Sequence, residues 1–164
     1  MNGKDKAATV SVYLALGTNL GNRQKNMIAA IENIEKQIGT VVSQSAFYDS
    51  EPFGFESDNR FLNSVVKVKT DLLPNQLIEV AQQIEHDMGR TEKSGEEEYT
   101  DRLIDIDILF YNREVINNGS KLIIPHPRMA ERDFVLKPLA EIAANFVHPV
   151  LNKTIDELVD KLDN

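Results

Sequence analysis

Two aspartates set two residues apart, Asp105 and Asp107, lie in the run Arg102-Leu103-Ile104-Asp105-Ile106-Asp107-Ile108-Leu109-Phe110 and alternate with three isoleucines. Alternation with a period of two marks a strand, and it sends both carboxylates to one face with their backbones about 7 Å apart. Two hard anionic donors on a rigid strand suit magnesium, which takes one or two carboxylates and completes its octahedron with water and substrate phosphates. A surface strand with an acidic outer face would carry the same letters. The apolar residues on either side weigh against that reading, because two unpaired like charges in such a strand are costly.

If the metal carries phosphates, other groups must hold them. The chain has no Gly-x-x-x-x-Gly-Lys-Ser/Thr loop, and Gly17-x-x-x-Gly21 does not match the dinucleotide fingerprint. Arginine and lysine must then supply the positive field that phosphoryl transfer needs. Five of the seven arginines, Arg90, Arg102, Arg113, Arg128 and Arg132, lie between positions 90 and 132. The net charge of −8 argues against a broad basic surface for nucleic acid, while leaving room for a small anion held by a local cluster. His126 stands between two prolines in Pro125-His126-Pro127-Arg128, and a lone histidine is more often structural than catalytic.

The elements that position these residues are legible in the spacing. Thr9 to Leu16 alternates as a half-buried strand and runs into a turn-rich stretch from Gly17 to Asn22. Met27, Ala30, Ile31, Ile34 and Ile38 then recur at helical spacing, with Gly39 as the expected stop. Val41 to Tyr48 and Phe61 to Thr70 read as two more strands. A second helix follows, with Pro74 in its first turn, Leu77, Val80, Ala81, Ile84 and Met88 on one stripe, and Gly89 at its end. Residues 91–101 carry five acids and one lysine without periodicity and read as an exposed loop. Leu103 to Tyr111 is the clearest strand. Short extended pieces are expected at Arg113–Ile116 and Leu122–Ile124 around the Asn117-Asn118-Gly119 turn, then a mixed helical region from Arg128 to Ala144. The last helix runs from Thr154 to Leu162, capped by Thr154 and Glu157. The order predicts an α+β fold, a ferredoxin-like βαββαβ sandwich with an antiparallel sheet and C-terminal additions, as one domain over residues 1–164 with a frayed tail at 1–8.

The 164 residues contain no cysteine, which excludes disulfides, thiolate metal sites and thiol nucleophiles. No apolar run approaches the length that spans a bilayer, so no membrane partner is expected and a cytoplasmic address fits. A monomer is the expected working unit.

Several segments in order resemble the 6-hydroxymethyl-7,8-dihydropterin pyrophosphokinase family. They are Leu16-Gly17-Thr18-Asn19-Leu20-Gly21, Phe47-Tyr48 with Ser50-Glu51-Pro52-Phe53-Gly54, Phe61-Leu62-Asn63, Ile84-Glu85 with Gly89-Arg90, Arg102 to Leu109, and Pro125-His126-Pro127-Arg128-Met129 through Arg132-Asp133-Phe134. Together they reach from about position 13 to 140. The resemblance implies transfer of the β,γ-diphosphate of ATP to the hydroxymethyl oxygen of the pterin, with release of AMP, in folate biosynthesis. It implies two magnesium ions on Asp105 and Asp107, and a catalytic set of Arg90, Arg102, Asp105 and Asp107. Around ATP it places Gln82, Arg90, Lys93, Arg102, Ile108, His126 and Arg132. Around the pterin it places Phe61 and Phe134 as stacking plates, with Asn63, Ser50, Asp105 and the backbone near Phe53 reading the rim. The chain departs from the family at Tyr99-Thr100-Asp101, where Trp-Gly-Pro is common, and at Glu92, where a basic residue is usual. These departures bear on how the loop closes over ATP and leave the aspartate pair intact.

Two other classes fit the same letters. One is a non-catalytic ferredoxin-like nucleotide-binding or regulatory module. The other is a different metal-dependent phosphoryl or nucleotidyl transferase on the same frame.

Overall fold

The nine-residue strand β1 (Val10–Thr18) is buried along nearly its whole length, because its two faces serve two different cores. Strands β2 (Gly39–Gln44), β4 (Phe61–Thr70) and β5 (Asp105–Tyr111) complete an antiparallel sheet in the order β2-β4-β1-β5, and the short β3 (Tyr48–Ser50) extends it by pairing with β4. A computed structural model describes residues 9–51, 59–89, 103–119 and 121–163. The expected tail at 1–8 lies outside them, as do the loop at 91–101 and four expected site residues, Phe53, Arg90, Lys93 and Arg102.

One face of the sheet carries Val12, Leu14, Leu16, Val66, Ile106 and Ile108, and packs against α1 (Arg23–Gln37) and α2 (Pro74–Asp87). The helices present Met27, Ala30 and Ile34, and Leu77, Ala81 and Ile84, the stripes their spacing predicts. The opposite face carries Tyr13, Ala15, Val65 and Phe110 and is covered by α3 (Asp133–Ala143) and α4 (Ile155–Asp163). The result is a mixed α/β architecture with an antiparallel sheet between two helical layers. A two-stranded ribbon of β6 (Ile116–Asn117) and β7 (Ile123–Ile124) stands apart.

The elements depart from the sequence expectation at the end of β1, between β2 and β3, and at Gly39, while the mixed helical region is found where expected. The first strand does not stop at Leu16 but runs through Gly17 and Thr18, which pair with Asn63 and Leu62 of β4. The strand expected over Val41–Tyr48 breaks after Gln44, where Glu141 of α3 accepts from the Ala46 amide (3.0 Å) and the Tyr48 hydroxyl (2.8 Å) and draws this stretch out of the ladder. Gly39 opens β2 instead of ending a helix in a left-handed turn. A side chain there would collide with the Lys69 carbonyl oxygen of the paired strand, so close backbone approach selects glycine. The region from Arg128 to Ala144 resolves into a 3-10 turn (Met129–Glu131) and α3. The capping box of α4 is present as expected. The Thr154 amide donates to Glu157 Oε1 at 2.8 Å, and the Glu157 amide donates to Thr154 Oγ1 at 3.1 Å.

Candidate functional site

In an antiparallel sheet, residues directly opposite one another present their side chains to the same face. Pairing therefore sets Tyr48 (β3), Asn63 (β4), Gly17 (β1) and Asp105 (β5) in one row across four strands, on the side that α3 covers further along. The next row is Val65, Ala15 and Asp107, and the row at the sheet end is Ser50 and Phe61. The central strand contributes no side chain from Gly17 and one methyl from Ala15. A trough results, with Asn63 and Phe61 on one bank and the two aspartates on the other. The closeness is measurable: a Cβ built on Gly17 would lie 3.4 Å from Asn63 Oδ1 and 3.6 Å from Phe61 Cδ1.

The trough has a polar wall and an anionic one. Asn63 is buried and its Nδ2 donates to Ser50 Oγ at 2.7 Å and to the Tyr48 carbonyl at 3.2 Å, which fixes its amide and turns its oxygen toward Gly17. Across the trough, burial pushes the Asp107 carboxyl well above the ordinary carboxylate range. The charges of Asp105 and Glu85 and a hydrogen bond shared with Asp105 push the same way, against the opposing charge of Arg132. Arg132 is only 9% exposed and its Cζ stands 5.8 Å from the centre of the Phe134 ring. His126 Nε2 lies 4.0 Å from Asp107 Oδ2, while its Nδ1 accepts from the Arg128 amide at 3.3 Å. Burial, then Arg132, lowers its pKa to about 4, with Arg128 adding a smaller push and Asp105 opposing. His126 is thus neutral near pH 7, and the donor into Nδ1 leaves its proton on Nε2, facing the aspartate. Its own amide donates to the Leu109 carbonyl at 3.1 Å, which ties the Pro125-His126-Pro127 loop to β5.

The structure brings Ser50, Phe61, Asn63, Asp105, Asp107, His126 and Arg132 to one end of the sheet, with Phe134 next to Arg132 at the start of α3. Gln82 is exposed on α2, one turn before Glu85. Ile108 points its side chain into the core under α1 and α2, so only its backbone is left for a ligand. Three contributors were not singled out by the sequence. Gly17 and Ala15 make the floor of the trough, and only strand register reveals it. Glu85 is 4% exposed on α2, and its Oε2 accepts from the Ile106 amide at 2.7 Å, between the two aspartates. Its signal was an acid beside Ile84 on the buried stripe of a helix.

A strongly anionic, partly buried carboxylate pair is the donor set a hard divalent cation takes, and charge neutralisation would relieve the repulsion that raises Asp107. Among the described residues no group of three or more His, Cys, Asp or Glu could hold a metal ion. A cation here would therefore take most of its ligands from water and substrate oxygens, as magnesium does.

A model of the 7,8-dihydro-6-hydroxymethylpterin-pyrophosphokinase family (HPPK) matches residues 13–144. The chain is 44% identical over 138 residues to the 2-amino-4-hydroxy-6-hydroxymethyldihydropteridine pyrophosphokinase of Porphyromonas gingivalis, covering 84% of this chain and 93% of that one. It is 45% identical over 131 residues to the enzyme of the same name from Bacillus subtilis, covering 79% of this chain and 76% of that one. Among solved structures it is similar to Plasmodium falciparum HPPK-DHPS, with a TM-score of 0.74 and 20% identity, covering 96% of this chain. The chain spans 45% of that longer protein's chain, and at this identity the likeness speaks to the fold alone. With the family model reaching across both banks of the trough and relatives this similar in sequence, the chain belongs to the 7,8-dihydro-6-hydroxymethylpterin-pyrophosphokinase family.

Proposed function

We propose that this chain transfers the β,γ-diphosphate of ATP to 6-hydroxymethyl-7,8-dihydropterin in folate synthesis, with the pterin in the trough and the triphosphate beside Asp105 and Asp107. The single observation that carries the reading is the row of Asn63, Gly17 and Asp105, which sets a hydrogen-bonding wall opposite a carboxylate pair across a floor without side chains. A flat ring needs apolar plates on its faces and donors and acceptors at its rim. Phe61 and Phe134 supply the plates in this reading, and Asn63 with Ser50, Asp105 and the backbone near Phe53 supplies the rim.

In the reaction the hydroxymethyl oxygen bonds to the β-phosphorus, the bond from the β-phosphorus to its bridge with the α-phosphate breaks, and AMP leaves with the bridging oxygen. Asp105 and Asp107 would hold two magnesium ions, whose chemistry is to neutralise phosphate charge and lower the pKa of the attacking hydroxyl. Arg132 and neutral His126 border the carboxylates and offer donors to phosphate oxygens. Arg90, Lys93 and Arg102 complete the cationic set around the phosphates, with Gln82 and the Ile108 backbone on the nucleotide side. The proposed working unit is the monomer.

The frame is read as ferredoxin-like. The order β2-β4-β1-β5, with α1 and α2 on one face, supports this, and α3 and α4 are the C-terminal additions to a single domain. Among the described residues no helix is long and apolar enough to cross a membrane, and the proposed compartment is the cytoplasm.

Incubation with ATP, magnesium and the pterin alcohol tests the reading by its nucleotide product. AMP with a pterin diphosphate is expected; ADP would indicate a different phosphoryl transferase, and no turnover would leave a binding module. Asp105→Asn and Asp107→Asn should each lower turnover by about a hundredfold or more while the protein stays folded.

A further inference from the structure

The ladder that carries Ser50, Phe61 and Asn63 is slight. Strand β3 has three residues and pairs with β4 alone among the described strands, a length that is marginal without outside support. Asp49, its middle residue, points away from the face that bears Ser50 and Tyr48. There its Oδ1 accepts from Arg60 Nε at 3.0 Å and from Arg23 Nη1 at 3.5 Å. The same Arg23 nitrogen donates to the Arg60 carbonyl oxygen at 3.0 Å. Arg60 immediately precedes Phe61, and Arg23 is the first residue of α1. One carboxylate and two guanidinium groups thus close a ring around the start of β4. Glu51 adds a looser contact with Arg60 Nη1 at 3.7 Å.

We propose that Arg23, Asp49 and Arg60 form a positioning clasp for the pterin slot, acting through Phe61 and Ser50 without touching the ligand. The inference rests on the pterin reading above. An isolated exposed ion pair is worth little. This group differs in that one carboxylate oxygen joins two cations and one of those cations also holds a backbone carbonyl. The backbone it holds is the one that sets the Phe61 ring against Gly17 and keeps Ser50 within reach of Asn63. Desolvation pushes the Asp49 carboxyl up, yet Arg60 and then Arg23 outweigh it and hold the group below its ordinary value. The three side chains are 33% to 51% exposed, so salt reaches the clasp. The pterin is uncharged, so salt acts on its affinity through the charged groups around it, and removal of the clasp takes away its part of that dependence.

Calorimetry tests this on the full chain saturated with magnesium and an ATP analogue whose α–β bridge is a methylene, titrated with the pterin alcohol at 0.1 M and 1 M NaCl. Asp49→Ala and Arg60→Ala are each expected to weaken pterin binding by about threefold to tenfold at low salt, and the double variant by no more than the worse single one. High salt should weaken the wild type more than Asp49→Ala, with the variants' ATP affinity and thermal midpoint near those of wild type at the same salt. The clasp is overturned if wild type and Asp49→Ala bind the pterin equally, or if ATP binding falls as much as pterin binding. A wild-type protein that takes up no pterin at either salt overturns the pterin reading and the clasp with it.

Discussion

Glu85 accepts the Ile106 amide on the outer edge of β5, at the one residue that separates Asp105 from Asp107. Replacing it with alanine would leave a buried donor without this acceptor, at a cost of about 1–3 kcal/mol, whereas glutamine keeps an oxygen in place. Chemical denaturation should show Glu85→Ala destabilised by about that amount and Glu85→Gln much less; equal losses would mean that charge, not the hydrogen bond, is what matters. Gly17 makes the complementary case on the trough floor. Gly17→Val suits a strand but puts methyl groups where Asn63 and Phe61 already approach, so it should weaken pterin binding by about tenfold or more while ATP affinity stays near wild type. Direct titration with each ligand decides it. Asp105 and Asp107 stood out in the sequence because their spacing is local, whereas His126 and Arg132 came forward only through the family resemblance. Glu85 and Gly17 were not singled out, because their roles exist only once a helix lies on a strand edge and three strands fall into register.

Strand β4 is the element whose limits the sequence marks best, Phe61 to Thr70, since apolar and β-branched residues fill it and its neighbours carry the turn residues. The same reasoning fails at Gly39. Local rules assign a glycine after a helical stripe to a left-handed stop, but the helix ends without it and the glycine serves the next strand. Its Cβ position is occupied by the Lys69 carbonyl, a group 30 residues away that no local pattern exposes. Gly39→Ala should therefore destabilise the protein by about 1–3 kcal/mol by forcing β2 away from β4. An unchanged or raised midpoint in urea would mean that the Lys69 carbonyl does not crowd this position. Strand β3 shows the opposite failure: Val41 to Tyr48 alternates well enough for one strand, but at the break the Ser45 hydroxyl accepts the Val65 amide of β4 and Glu141, in a helix nearly a hundred residues later, accepts from Ala46 and Tyr48.

The order of strands and helices was enough to anticipate one antiparallel sheet with two helices on a face, yet the chain buries both faces, and the second layer determines how stability responds to pH. His148 lies between α3 and α4, 5% exposed, edge-on to Phe110 at 5.4 Å between ring centres. Its Nδ1 accepts from the Val150 and Leu151 amides, both at 3.1 Å, which only an imidazole with that nitrogen unprotonated can do. Burial lowers its pKa below the ordinary 6.5, and burial with Arg132 lowers His126 to about 4. Between those lowered values and 6.5 the unfolded chain binds protons that the folded chain refuses, so stability rises with pH across this window. The contribution is complete above about 6.5 and is lost as pH falls toward the folded pKa values. Asp107 acts in the other sense: its raised pKa makes the folded state the better proton binder from 3.8 upward, which tilts stability toward acid. The two histidines and the aspartate therefore oppose one another on the acid side, and single variants separate them. The share of wild-type stability owed to the histidines should climb as pH rises toward 6.5, with a slope of up to about 1.4 kcal/mol per pH unit for each refused proton. His148→Gln should flatten that climb while leaving the part due to His126. Urea midpoints taken at half-unit steps give the slopes directly, and a His148→Gln curve parallel to wild type would mean that His148 carries its proton in the fold despite the two amides that face it.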